Sequence, residues 1–296
     1  MIVGKRKTKG EVVFDFINAI LLILLCVIVL MPIYHMFVVS ISDAFAVARG
    51  EVSFMPIGPN LKAYKALFMN PNIPRSFLNS IVYTVMGTAV NMIMTVLCAY
   101  PLSRKRFYGR SVFTFLIIFT MFFDAGMISR YMVVRTLHLR NTIFSIILPG
   151  AVDVMNMVIM RTFFQAIPED LYESAYLDGA NDLQILTRIV LPLSTATFAT
   201  IGLFYAVGHW NSWFNALVYL DDQKKFPMQL WMRSVVMQGS TDGFNNYMTE
   251  AEGKMEVIGV SVRYAMVFIA MLPILCVYPF IQKYFVKGVM VGSLKG

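Results

Sequence analysis

Residues 168–192 read PEDLYESAYLDGANDLQILTRIVLP, and the chain on either side of them is strongly apolar. Pro168 suits the first position of a helix, where its missing N–H would be unpaired anyway. Glu169 and Asp170 then fall in the first turn, where the helix dipole favours negative charge. Leu171, Tyr172, Ala175 and Tyr176 recur at helical spacing and predict one narrow apolar face. Gly179 stops this helix or permits a sharp turn. Asn181 and Gln184 stand at capping-box spacing and start a second helix. Its apolar residues, Ile189 and Leu191 among them, lead into a membrane-spanning run whose first turn Pro192 is expected to bend. A short acidic helix held between two spans either rests on lipid headgroups or is presented to a groove on another protein. Interfacial helices favour Lys and Arg, whereas this one offers Glu169, Asp170, Glu173 and Asp178, which tilts the reading towards the groove.

Outward from this segment the chain reads as membrane. Of its 296 residues 58% are hydrophobic and 14% charged, with a mean hydropathy of +0.66. A soluble domain carries about 25% charged residues. Apolar runs long enough to cross a hydrocarbon core predict an all-α polytopic fold of about six spans, near 12–39, 78–101, 111–128, 143–164, 189–208 and 263–285. They form a single transmembrane domain over 1–296, with 165–188 as a loop. The first run is about twice the length of a secretory signal core, so it is a retained helix. The net charge of +8 and pI near 9.4 sit in short loops rather than on a nucleic-acid surface. Lys5-Arg6-Lys7-Thr8-Lys9, Arg104-Lys105-Arg106 with Arg110, and Lys283, Lys287 and Lys295 place both termini and 165–188 in the cytoplasm by the positive-inside rule. The polar segment 209–262 is then outside. Arg130, Arg135 and Arg140, in the return from the third span, run against that rule.

No chemistry-bearing cluster accompanies the spans. Cys26, Cys98 and Cys276 lie in separate apolar segments, which argues for packing rather than disulfides or metal. His35, His138 and His209 fall in different regions and read as polar helix-end residues. No phosphate-cradling Gly-x-x-x-x-Gly-Lys-Ser/Thr, no His-Glu-x-x-His and no Gly-x-Ser-x-Gly is present. The expectation is a protein that is not an enzyme, with no catalytic, cofactor or metal site of its own.

Glu173-Ser174-Ala175, Gly179, Ile189 and Leu191-Pro192 resemble, at full spacing, the EAA loop of ABC-importer permeases; Ser174 departs from the usual Ala. The resemblance extends along nearly the whole chain to the second permease of carbohydrate importers, the maltose-importer group and its LplC-like branch. Phe77-Leu78-Asn79-Ser80, Tyr100-Pro101-Leu102-Ser103-Arg104, Gly109-Arg110, Trp210-Asn211 and Tyr284-Phe285-Val286-Lys287-Gly288 with Lys295-Gly296 carry it. It implies a type I importer fold in a bacterial plasma membrane, and import of sugars or oligosaccharides, with a lean towards larger or acidic ones. The implied partners are a second permease, two ATPase subunits that bind the ATP, and an extracytoplasmic solute-binding protein. Glu173, Ser174, Ala175, Gly179, Leu191 and Pro192 are the implied ATPase-coupling residues, on a helix that docks in a cleft of the ATPase.

Polar residues inside the spans add a second set. Asp153 and Asn156 are three apart near the middle of the fourth span, where a carboxylate costs at least about 2.5–3.5 kcal/mol. They either line the translocation path or make a structural bond between helices. Asn91, a turn after Gly87, reads as packing glue. Asp124 and Arg130 are expected to pair. Trp210, Trp213 and Tyr219 read as an interfacial aromatic belt, with a sugar platform as the alternative. The rival function is a proton- or cation-coupled secondary transporter using Asp153, although no internal repeat of the kind such proteins carry is found.

Overall fold

The computed structural model describes residues 8–237 and 255–293. Lys5, Arg6, Lys7, Lys295, Gly296 and the stretch 238–254 of the expected outer segment lie outside the described residues. Described secondary structure is helical throughout. Three helices are long and apolar enough to cross a membrane, and three bent helix pairs could each supply one more span, which accommodates six.

The chain divides into two compact units, 1–70 with 239–271 and 71–238 with 272–296. In the first, α1 (Lys9–Ile41) starts at a capping box between Thr8 and Glu11. Most of its length is exposed, as expected of a surface whose solvent is lipid. Its last turn does pack: Val38 and Val39 meet Ala46 of α2 (Ala44–Ala48) and Tyr264, and Phe37 lies 5.1 Å from Phe268. The short α3 (Lys62–Met69) follows.

The second unit is built around α4 (Asn72–Ser103). After it come α5 (Arg110–Phe122), α6 (Gly126–Thr136), α7 (Phe144–Ile147) and α8 (Val154–Gln165). The loop helices are α9 (Glu169–Leu177) and α10 (Asp182–Ile185), then α11 (Leu191–Leu193) and α12 (Thr195–Trp210). Last come α13 (Phe214–Tyr219) and α14 (Met228–Met237), and the Met255–Ser293 helix contributes its second half. α8 and α12 pack on α4, burying Met92, Ala99, Met157, Met160, Phe164 and Ile201.

Three expected spans are not continuous helices. The third, 111–128, ends as a helix at Phe122; the chain turns by 115° into α6. α5 has 13 residues, about 20 Å at 1.5 Å per residue, short of a 30 Å core. The turn is built by Asp124, whose carboxylate accepts from the Gly126 N–H at 2.9 Å, with Gly126 at φ +75°. The fourth, 143–164, is unwound between a short 3-10 turn (Leu148–Gly150) and α8, with a 54° bend. The fifth, 189–208, begins later than expected: a π-helical turn (Leu186–Val190) and α11 continue the loop helix, and an 86° bend precedes α12. Pro192 sits just before that bend, where its missing N–H weakens helix continuation.

Candidate coupling site

α9 begins at Glu169, with Pro168 one residue outside at the N-cap, at φ −54° and ψ 137°. Glu169 and Asp170 occupy its first turn as expected. Of its expected apolar face, Tyr172, Ala175 and Tyr176 are turned inward, while Leu171 is 42% exposed. Tyr172 is 1% exposed and Ala175 is buried in the same core as Phe164, Tyr100 and Ile185. The Arg104 guanidinium lies 3.3 Å from the centroid of the Tyr172 ring, and its Nη2 donates to Glu169 Oε1 at 3.0 Å. A desolvated cation–π contact of this kind contributes roughly 2 kcal/mol. Burial raises the Tyr172 hydroxyl above its ordinary pKa, which keeps it a neutral donor. The basic turn after α4 therefore clamps the loop to the span.

The far end of α9 is fixed by a C-terminal motif. Gly179 is at φ +77°. Its N–H donates to Tyr176 O at 3.0 Å, and the Ala180 N–H donates to Ala175 O at 2.9 Å, the two hydrogen bonds of a Schellman turn. A Cβ on Gly179 would meet nothing within 4 Å, so within this chain glycine serves the left-handed backbone rather than a close approach. Asn181 and Gln184 form the expected capping box, each backbone N–H meeting the other's side chain at 2.9 Å. Tyr176 Oη donates to Asp182 Oδ1 at 2.6 Å and ties the two helices together. That bond, followed by burial, raises the Tyr176 pKa.

What α9 presents outward is its polar side. Asp170, Glu173, Ser174 and Leu177 share a face at i, i+3, i+4 and i+7, and all are exposed. Ser174 Oγ donates back to Asp170 O at 2.8 Å. Glu173 is exposed and has no side-chain partner among the described residues. Leu177 is 88% exposed and Leu183 65%, apolar side chains with no cover. The six coupling candidates thus divide: Glu173, Ser174 and Gly179 lie at the surface, Ala175 and Leu191 pack into the core, and Pro192 marks the bend. The sequence reading left out Leu177 and Leu183, and it placed Arg104 in the basic turn without its contact to this loop. A leucine four residues after Glu173, on the acidic side of the helix, was the available signal.

Asp153 is not within a continuous helix. It is the N-cap of α8, exposed, with Oδ1 accepting from the Asn156 N–H at 2.8 Å. Asn156 itself is buried. The unwound stretch around Asp153 is held by side chains of neighbouring helices. Asn91 Nδ2 donates to Gly150 O at 2.7 Å, and the Asp153 N–H donates to Tyr205 Oη at 3.1 Å. Thr95 pairs with Tyr205, and His209 Nε2 lies 3.0 Å from Asn91 Oδ1. A Cβ on Gly87 would lie 2.5 Å from the His209 ring, so the glycine makes room for the imidazole. Asn91 and Gly87 are packing residues, as expected, and Arg130 meets Asp124 at 2.7 Å. The aromatic belt is corrected. Trp210 and Tyr219 are buried within the chain, Trp210 edge-on to Phe77 and Tyr219 stacked on Tyr131, while Trp213 lies under Arg233. Trp210 and Tyr219, buried this way, do not line a headgroup boundary, whereas Trp213 is half-buried.

Residues 66–291 match the family of binding-protein-dependent transport system inner membrane components, and the chain belongs to that family. It is a multi-pass permease subunit of an ABC importer in the inner membrane, not an enzyme, and it works with a second permease, an ATPase and a solute-binding protein. Permeases of this family have no known cofactor of their own. The polygalacturonan/rhamnogalacturonan transport system permease protein YtcP of Bacillus subtilis is 40% identical over 96% of this chain and 98% of that protein. Protein LplC of the same organism is 39% identical over 98% of each. A crystal structure of a bacterial ABC transporter involved in the import of the acidic polysaccharide alginate contains a chain with 34% identity. Its TM-score is 0.85, covering 95% of this chain and all of that one.

Proposed function

We propose that this permease imports large acidic oligosaccharides and that α9, with the corner after it, is its joint to the ATPase. The observation that carries the joint is the orientation of α9. Tyr172, Ala175 and Tyr176 are spent on the chain's own core, so the helix is rigidly held, while Leu171, Glu173, Ser174, Leu177 and Leu183 remain for a partner. A helix clamped at Arg104 and Tyr172 passes rotation of an attached body into α4 and α8, a rigid-body form of switching. The substrate class is supported by the relatives, two of which are described as carrying polygalacturonan or rhamnogalacturonan and alginate, all acidic. In this reading the chain acts as one transmembrane domain with both termini and 165–188 cytoplasmic and 209–262 outside. It pairs with a second permease and two ATPase subunits, which bind the ATP. Asp153 and Asn156 border the path, Asp153 by its exposed carboxylate.

Co-purification of the ATPase with tagged permease tests the joint. Leu177→Asp is expected to weaken ATPase binding roughly thirtyfold, the loss of one interface hot spot of about 2 kcal/mol, while membrane insertion is unchanged. Glu173→Ala should bind more nearly normally yet lower substrate-stimulated ATP hydrolysis. Full co-purification and normal stimulation for both variants would remove α9 as the joint.

A further inference from the structure

Arg233 carries a positive charge that no described carboxylate neutralises. Two arginines elsewhere in the fold do have carboxylate partners, Arg130 meeting Asp124 and Arg140 meeting Asp221, each at 2.7 Å. Lys225 donates to the Asn141 carbonyl at 2.8 Å. Arg233 instead lies with its guanidinium carbon 4.2 Å from the Trp213 ring centroid, and both side chains are half-buried. Phe214 stands edge-on to Trp213 at 5.5 Å and is 47% exposed. The position is built rather than incidental. Asn79 donates to the carbonyls of Lys224 and Phe226, Tyr83 donates to that of Lys225, and the Met228 N–H donates to Ser80 Oγ at 2.8 Å. These bonds fix the start of α14 on the first turns of α4, and buried Leu230, Trp231 and Val235 hold the rest.

Among the described residues this half-buried cation has no anion, an unfavourable arrangement, and its chemistry states what would relieve it. Guanidinium complements carboxylate through parallel hydrogen bonds, and exposed Phe214, braced edge-on by Trp213, offers an apolar surface for the C–H side of a sugar ring. We propose that Arg233, Trp213 and Phe214 form a subsite for one uronate ring of the transported oligosaccharide, at the outer end of the path. The inference rests on the acidic-oligosaccharide reading above. Arg233 selects for charge, and the aromatic pair for a sugar ring of either charge.

The test uses the intact importer in proteoliposomes with its ATPase, second permease and binding protein. The probes are a galacturonate trisaccharide and its fully methyl-esterified, neutral counterpart. Arg233→Gln is expected to raise the concentration of acidic trisaccharide for half-maximal ATP-driven uptake about tenfold, as for one lost charge-assisted hydrogen bond. The ester should change by no more than about twofold, within the range of an unaffected surface site. Trp213→Leu should weaken both probes. If Arg233→Gln fails to assemble, Arg233→Met fills the space beside Trp213 and carries the same expectation. An arginine variant that shifts both probes alike, or neither, overturns the subsite. A wild-type importer that carries the ester but not the acid overturns the acidic-substrate reading itself, and does so before any variant is examined.

Discussion

At the residue scale, Gly179 and Asp153 each combine a backbone role with a proposed functional one, and substitutions can separate the two. Gly179 holds φ +77° with open space where a side chain would stand. A branched or bulky residue there strains the backbone by about 1–2 kcal/mol, while Asn visits that region with less penalty. Gly179→Asn should therefore keep ATPase co-purification near wild type and Gly179→Leu should lose much of it. Equal loss in both variants would mean that the partner's approach, not the backbone, demands glycine. Asp153 caps α8 through Oδ1. Asn caps as well as Asp, whereas Ala forfeits about 1 kcal/mol. Asp153→Ala should thus lower the melting temperature of the complex and Asp153→Asn should not. A change in transport rate or substrate preference in Asp153→Asn would then report the charge alone, and unchanged transport would remove Asp153 from the path.

At the element scale, the attachment of α9 to α4 is the contact on which coupling depends. Arg104 reaches over Tyr172 and to Glu169 at once, with its side chain 10% exposed. Lys retains the charge but cannot stack as a plane or fork to a carboxylate. Arg104→Lys is expected to loosen α9 without unfolding the spans. Backbone amides of 172–180 should exchange with deuterium about tenfold faster, the consequence of about 1.4 kcal/mol less local stability, while those of α12 stay protected. Unchanged exchange in α9 would show that the apolar face alone holds it. The bends at 123–125, 151–153 and Ser194 belong to the same scale. At the second of these, backbone groups left by the unwound turn are satisfied by Asn91 and Tyr205 from neighbouring helices, which is the condition under which non-helical backbone is tolerated at membrane depth.

At the scale of the whole molecule, topology is the property to measure. Tyr108 is 97% exposed in the basic turn after α4, and Leu177 is 88% exposed on the loop. In a background lacking Cys26, Cys98 and Cys276, Tyr108→Cys and Leu177→Cys should react with a membrane-impermeant thiol reagent only from the cytoplasmic side. Lys224→Cys should react only from the other. Labelling of position 177 from outside would invert the proposed orientation and end the coupling assignment.

The sequence by itself determined the class of protein, the approximate number of spans and the loop with its two caps. The membrane class, the spans and the caps follow from local regularities: apolar length against bilayer thickness, and a glycine or an Asn–Gln pair acting on its own turn. The permease class rests on the resemblance of Glu173, Ser174, Ala175, Gly179, Leu191 and Pro192 to the EAA loop. Asn181, Gln184, Gly179 and the Asp124–Arg130 pair were legible for that reason, since all their partners lie within a few residues. Only the tertiary structure decided which face of α9 is free. Tyr172 and Ala175 look equally suited to a partner groove or to the chain's own core, and the choice is made by Arg104 and Phe164, the first of them 65 residues from Glu169. Tertiary packing likewise drew Trp210 and Tyr219 inward and set Asp153 at a helix start rather than mid-helix. Periodicity records that a residue is apolar or polar and where it falls on a turn. It does not record which distant surface will meet it, and that surface decides burial, partner and function.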